Sequence, residues 1–262
     1  MPTRKRGHEK RSIRKQTCAP LQTPNLSGTF VQDYHILKQA VCQTCFLRAA
    51  LALFGFFPYA YCIIPRGESI ILQLAAQQLY DHLQINPIIA AVGNEEEFSL
   101  ALKSDCRVVF LLMGNVLDIG SLTRRVHESG KSCVVHLDLI DGFSSKEIAV
   151  DALLKETGAE GIISTRGALI KRAKQLGMAA IQRGFMLDSR SLNSFEQQIQ
   201  QSKPDFVEIL PGLLPKVIAT LKECVEVPII AGGFIHEKED VIAALQAGAL
   251  AVSASSPKIW SV

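Results

Sequence analysis

No stretch of this sequence is both long and apolar enough to read plainly as a membrane span. The apolar run over residues 49–64 is about sixteen residues, short of the ~20 that a bilayer core requires. It also starts too far from Met1 for an ordinary signal peptide. No disulfide framework is legible either. Seven cysteines, at 18, 42, 45, 62, 106, 133 and 224, make an odd, irregularly spaced set, which fits a reducing cytoplasm. Cys42 and Cys45 form one C-x-x-C; a zinc site needs two further ligands, for which only Cys18 and Cys62 are candidates, and the usual paired spacing is missing. Three cysteines in or beside apolar runs of the body read as small buried hydrophobes. There is no G-x-G-x-x-G after the first strand-like run, no two-carboxylate metal motif, no established nucleophile arrangement and no aromatic-rich RNA-binding sheet motif.

A strong charge of one sign is also missing. The net charge of +3 is unevenly spread: residues 1–48 carry nine Lys/Arg against two Asp/Glu, and residues 49–262 carry nineteen against twenty-three. The basic excess belongs to the leader, so whole-chain pI does not argue for nucleic-acid binding. Residues 1–35 are polar, basic and without apolar periodicity, so they are expected to be disordered. Residues 49–64 read as a membrane-associated segment, as a helix packed on the body, or as translated upstream sequence without a fold of its own. The third reading is preferred. A helix over 70–83 leads into the body. The division expected is a leader over 1–82, disordered or partly helical, and a folded domain over 83–262.

From Pro87 onward the pattern is regular. Short apolar runs are predicted as strands at 88–92, 107–113, 132–138, 161–164, 178–182, 205–210, 228–231 and 250–253. Helical segments at 95–103, 117–129, 146–157, 168–176, 189–201, 211–225 and 237–246 alternate with them, several ending at glycine. Continuous apolar strands imply a parallel sheet buried on both faces. Eight β/α units imply a closed α/β barrel of the TIM type, (β/α)8, with a doubly wound open sheet as runner-up. The domain spans only about 175 residues, so its loops must be tight and its last helix short.

Such barrels place function at the C-terminal ends of their strands, with phosphate sites after strands seven and eight. Here strand seven ends in Gly232-Gly233. Strand eight reaches Ser253 and runs into Ser255-Ser256-Pro257, read as a capped helix start. Glycine lets the backbone approach an anion closely, and a helix N-terminus offers unpaired N–H groups. Gly232, Gly233, Ser253 and Ser255 are therefore the candidate phosphate binders. The other strand ends supply His136 and Asp138, placed on one side by alternation, then Arg166, Gln182, Arg183 and Glu208, with Lys216 one turn into the next helix. Arg and Lys suit an anion, and carboxylates and amides suit hydroxyls. The ensemble reads as a pocket for a small phosphorylated polyol. Blander readings stand beside it: a satisfied core His136, a surface pair of Arg166 with Glu160, a buried Glu208 held by Arg183.

The segments HLDLIDGFSS, GIISTRGALIKRAK, AIQRGFMLDS, KPDFVEILPG, PIIAGGFIHEKEDV and AGALAVSASSPKIW resemble the glycerol-3-phosphate-responsive antiterminator family, over about two-thirds of the chain. The resemblance implies a small TIM-type barrel with glycerol 3-phosphate as effector, no cofactor and no membrane partner. It also implies action of the bound form on the leader mRNA of glycerol-utilisation operons, preventing termination. The first 80 or so residues have no counterpart in the family, which favours an overcalled start site. For RNA contact the basic clusters Lys171, Arg172, Lys174 and Arg124, Arg125 are candidates, with a solvated helix face as the alternative for each. A TIM-barrel enzyme acting on a small phosphate ester, with His136, Asp138 or Glu208 as general base, is the competing function.

Overall fold

The computed structural model describes residues 74–261; the leader cysteines and the 49–64 run lie outside them. Eight parallel strands close into a barrel in sequence order, β1 pairing with both β2 and β8. They are β1 (Ile88–Val92), β2 (Val108–Leu111), β3 (Ser132–His136), β4 (Gly161–Ser164), β5 (Ala179–Phe185), β6 (Phe206–Leu210), β7 (Ile229–Gly232) and β8 (Ala251–Ala254). Helix α1 (Leu74–Ile85) precedes β1. Between successive strands lie α2 (Glu95–Ala101), α3 (Ile119–Glu128), α4 (Ile148–Thr157), α5 (Gly167–Gln175), α6 (Ser189–Ser202), α7 (Pro215–Cys224) and α8 (Lys238–Gln246). This is the expected TIM-type architecture.

The period-two direction of strand side chains splits the apolar runs into two cores. Ile89, Val108, Phe110, Val134, Ile163, Ile181, Phe206 and Ile230 fill the barrel. Their neighbours Val109, Leu111, Val135, Ile162, Val207, Ile229 and Val252 pack outward under the helices. Each fully buried side chain of this size contributes about 1.5–3 kcal/mol, so nearly every strand position supports closure. Gly161 allows close strand approach: a Cβ there would stand 2.6 Å from the Ala179 carbonyl oxygen.

The helix starts are held locally. Asn94 accepts from Glu97 N at 2.9 Å to cap α2, and Asp188 accepts from Ser191 N at 2.8 Å to cap α6. Gly158, at φ 64°, ends α4. After β8 the chain makes one 3-10 turn, Pro257–Ile259. Ser256 precedes that turn, but its side chain makes no capping hydrogen bond, contrary to the sequence reading. Buried Trp260 ties the turn back, donating Nε1–H to the Ala254 carbonyl at 2.8 Å.

Helix α1 straddles the expected boundary at residue 83. Its Leu79 and Leu83 are buried in the same cluster as the barrel interior, and His82 Nδ1 lies 3.1 Å from the hydroxyl of Ser132 at the start of β3. The helix therefore closes the N-terminal end of the barrel. Cys106 and Cys133 are buried, as expected for small hydrophobes, but Cys224 is exposed at the end of α7. No described helix is long and apolar enough to cross a membrane.

Candidate functional site

The C-terminal mouth of the barrel holds a cleft of about 130 Å³, offset toward strands β5 to β8. Arg183 and Glu208 occupy inward positions of β5 and β6 and face each other in register. Arg183 donates Nε–H to Glu208 Oε2 at 2.6 Å, and Ser253 donates its hydroxyl to Glu208 Oε1 at 2.6 Å. With Glu208 1% and Arg183 10% exposed at the side chain, this is a buried ion pair with both carboxylate oxygens engaged. Nε is committed to Glu208, the guanidinium keeps further N–H donors beyond it, and Arg183 lines the cleft.

Two turns form the opposite wall. Gly233, Phe234, Ile235 and His236 follow β7, and Ser253, Ala254 and Ser255 end β8. Gly233 has φ 78° and Phe234 φ 62°; a bulky residue in the left-handed region is uncommon and strained. The strain is supported from both sides. The Asp240 carboxylate accepts from the N–H groups of His236 and Glu237 at 3.0 Å each, bonds that hold its own pKa below the ordinary value. Gly212 N donates to the Gly232 carbonyl at 2.6 Å. Gly232 is required for packing: a Cβ there would come within 2.6 Å of Ser253 Oγ and 2.7 Å of Glu208 Oε1.

Five of the sequence-predicted residues line this cleft: Gly233, Ser253, Ser255, Arg183 and Glu208. Gly232 stands directly behind them. His136 is 3% exposed at the inward end of β3, and its Nδ1 has no hydrogen-bond partner. Burial first, and then the nearby Arg183 cation, lower its pKa to about 4 against a smaller opposing effect of Asp138. The ring is neutral at physiological pH.

The other predicted residues lie elsewhere. β3 ends at His136, and Asp138 sits in a 3-10 turn, Leu137–Leu139, so strand alternation does not carry it to the side of His136. Asp138 instead accepts from Ser164 Oγ at 2.9 Å, Thr165 N at 2.8 Å, Thr165 Oγ1 at 2.9 Å and Arg166 Nη1 at 3.1 Å. Burial would raise its pKa, but the bonds from Thr165 and Ser164 outweigh that and lower it. Arg166 is thus tied to Asp138 and not to Glu160, which is 3.1 Å from His127 Nε2. Gln182 points outward under α6, accepting from the Ser202 hydroxyl and donating to Gln198 Oε1 at 3.3 Å. It lines a separate cavity of about 230 Å³ between α5 and α6, with Lys171 at its edge. Lys216 is exposed on α7, outside the cleft.

The basic clusters are also divided. Arg172 pairs with Asp151, Lys174 with Asp205 at 2.7 Å, and Arg125 with Glu95 at 2.7 Å while stacking on Phe98. Arg124 and Lys171 are exposed. Reading strand ends missed Leu112, Leu210, Phe234 and His236, all on the cleft wall. Only the aromatic directly after Gly-Gly could have signalled one of them.

Comparison with known proteins follows the same span. A family model described as glycerol-3-phosphate responsive antiterminator matches residues 88–260. The uncharacterized protein YgcP of Escherichia coli is 38% identical over 180 residues, 69% of this chain and 94% of its own length. The crystal structure of the glycerol uptake operon antiterminator regulatory protein of Listeria monocytogenes matches with a TM-score of 0.65 and 36% identity, covering 67% of this chain and 95% of that one. That of a glycerol uptake operon antiterminator-related protein of Thermotoga maritima matches with a TM-score of 0.60 and 30% identity, covering 66% and 96%.

Proposed function

Because the chain belongs to the glycerol-3-phosphate responsive antiterminator family, we propose that it senses glycerol 3-phosphate in the mouth cleft. In the bound form it acts on the leader mRNA of a glycerol-utilisation operon and prevents termination. The observation that carries this reading is the convergence of one buried guanidinium, that of Arg183, with the backbone turns after β7 and β8. A phosphate against those turns meets main-chain N–H groups and the free face of Arg183, a charge-assisted arrangement. Glycerol hydroxyls then face Glu208, whose oxygens each retain a lone pair, and the Ser253 hydroxyl.

A regulator fits this chemistry better than an esterase or isomerase. Glu208 has both oxygens engaged by Arg183 and Ser253, so it serves as an acceptor and not as a free base. Asp138 is consumed by the turn after β4. Binding needs no cofactor, and action on a nascent transcript places the protein in the cytoplasm.

Titration calorimetry with glycerol 3-phosphate, glycerol and inorganic phosphate tests the effector. The expected order is glycerol 3-phosphate tightest and glycerol unbound; equal weak binding of all three removes the reading. Turnover of the ester would replace a sensor with an enzyme. Filter binding of a glycerol-operon leader transcript with and without glycerol 3-phosphate tests the output.

A further inference from the structure

The end of β5 and the loops after β5, β6 and β7 expose large apolar side chains on the mouth face. Phe185 is 51% and Phe234 68% exposed. Leu187 and Leu213 accompany them on the first two loops. Leu210 lies between these loops: Phe185 is its register partner across β5–β6, and Leu210 lines the same cleft as Phe234. Cations border the same sector. Arg190 and Lys216 are exposed in the first turns of α6 and α7. The nearby carboxylates of Asp188 and Asp240 are turned into backbone N–H groups at their own helix starts, so they oppose an incoming phosphate less than free carboxylates would.

Resting on the regulatory reading above, we infer that this sector is where a single-stranded segment of RNA docks, with bases stacked on Phe185 and Phe234 and phosphates taken by Arg190 and Lys216. Single-stranded RNA is recognised by aromatic stacking combined with a cationic rim. An apolar face without bordering cations would suit a protein partner instead. The helix N-termini at this end of the barrel add positive potential. The arrangement also gives the effector a direct route to the RNA. Phe234 is at once a wall of the cleft and an exposed face, held at positive φ. A phosphorylated ligand seated against residues 233–236 fixes the orientation of that ring. RNA and effector then share one side chain, and by linkage each raises the affinity of the other by the same factor.

The test uses the full-length protein and a glycerol-operon leader transcript, measured with and without glycerol 3-phosphate and across salt concentrations. Phe185→Leu is expected to weaken RNA binding about tenfold, the loss of one stacked base, with calorimetric affinity for glycerol 3-phosphate unchanged; Phe185→Trp restores RNA binding. Phe234→Leu weakens RNA binding and also reduces the enhancement by glycerol 3-phosphate. Arg190→Gln and Lys216→Gln each lower the salt slope by about 0.7. RNA binding by Phe185→Leu and Phe234→Leu equal to wild type overturns the inference while leaving the regulatory reading intact. So does sedimentation showing that this face instead joins two copies of the chain, with the Phe185→Leu protein monomeric and binding RNA normally. A wild-type protein that binds no RNA with effector present removes both.

Discussion

Arg183 and Glu208 are register partners on β5 and β6 and also an ion pair, 2.6 Å from Nε to Oε2, at the floor of the cleft. The pair is nearly dry, so its members are not interchangeable under mutation. Removing one partner of a buried pair leaves an uncompensated charge and costs about 3–5 kcal/mol. Arg183→Met is expected to lower stability by an amount of that order in urea unfolding, and to abolish calorimetric binding of glycerol 3-phosphate. Glu208→Gln keeps an acceptor for Ser253 and leaves Arg183 without its counter-ion. The dianionic ester then supplies the missing charge, so affinity is expected to hold or rise. Equal loss in both variants contradicts an arginine-centred anion site.

Glycine at 232 and glycine at 130 make a controlled comparison. A Cβ at 232 enters the space of Ser253 Oγ and Glu208 Oε1, whereas at 130, also a positive-φ position at 76°, it meets nothing within 4 Å. Gly130→Ala is expected to cost about 1 kcal/mol through backbone strain alone, with ligand affinity unchanged. Gly232→Ala is expected to cost about 1–3 kcal/mol by overpacking and at least tenfold in affinity for glycerol 3-phosphate, because it displaces two groups of the cleft. Thermal unfolding and calorimetry on both variants separate the effects.

The pH dependence follows from His136. Its pKa is about 4 in the folded protein, lowered by burial and by Arg183, and about 6.5 in an unfolded chain. The unfolded state therefore binds the proton more readily. This contribution to stability is fully present above pH 6.5 and is lost as pH falls from there toward 4, by about 3 kcal/mol at most. His136→Phe, which cannot protonate, is expected to flatten the stability profile between pH 4 and 6.5 and to leave its slope above pH 7 unchanged. Urea midpoints taken across that range measure the difference; an unchanged slope removes His136 as the cause.

Most of the barrel was legible because β-strand burial on both faces leaves continuous apolar runs: residues 88–92 and 161–164 coincide with β1 and β4. Side-chain direction at the strand ends was less so. Alternation holds only while the pleat lasts. β3 stops at His136, which releases Asp138 to the β4 turn; β5 continues to Phe185, which turns Gln182 outward and Arg183 inward. The cations misled for a different reason. Arg172 and Arg125 are committed to Asp151 and Glu95 on neighbouring helices, and no local pattern announces pairings across twenty or thirty residues. At the mouth loops the Gly-Gly pair was a local signal of close approach: a Cβ at 232 would meet Ser253 Oγ and Glu208 Oε1, and one at 233 would meet Leu210.

Helix α1 shows the same limit at the opposite end of the barrel, and supports a last prediction. Its apolar face consists mainly of Leu79 and Leu83, one turn apart, both buried against the lower interior of the barrel. Two residues make a weak periodic signal, yet each fills space that strand side chains leave open. Leu79→Ala is expected to destabilise the protein by about 2–5 kcal/mol, the range for a leucine truncated in a packed interior. A chain shortened to begin at residue 86 loses both leucines and the His82–Ser132 contact, and is expected to unfold at lower urea than Leu79→Ala. Neither change reaches the mouth, and in such barrels the N-terminal face contributes stability while the C-terminal face carries function. Affinity for glycerol 3-phosphate is therefore expected to stay within twofold of wild type under conditions where both proteins remain folded. A Leu79→Ala protein as stable as wild type would mean that α1 covers the barrel without sealing it.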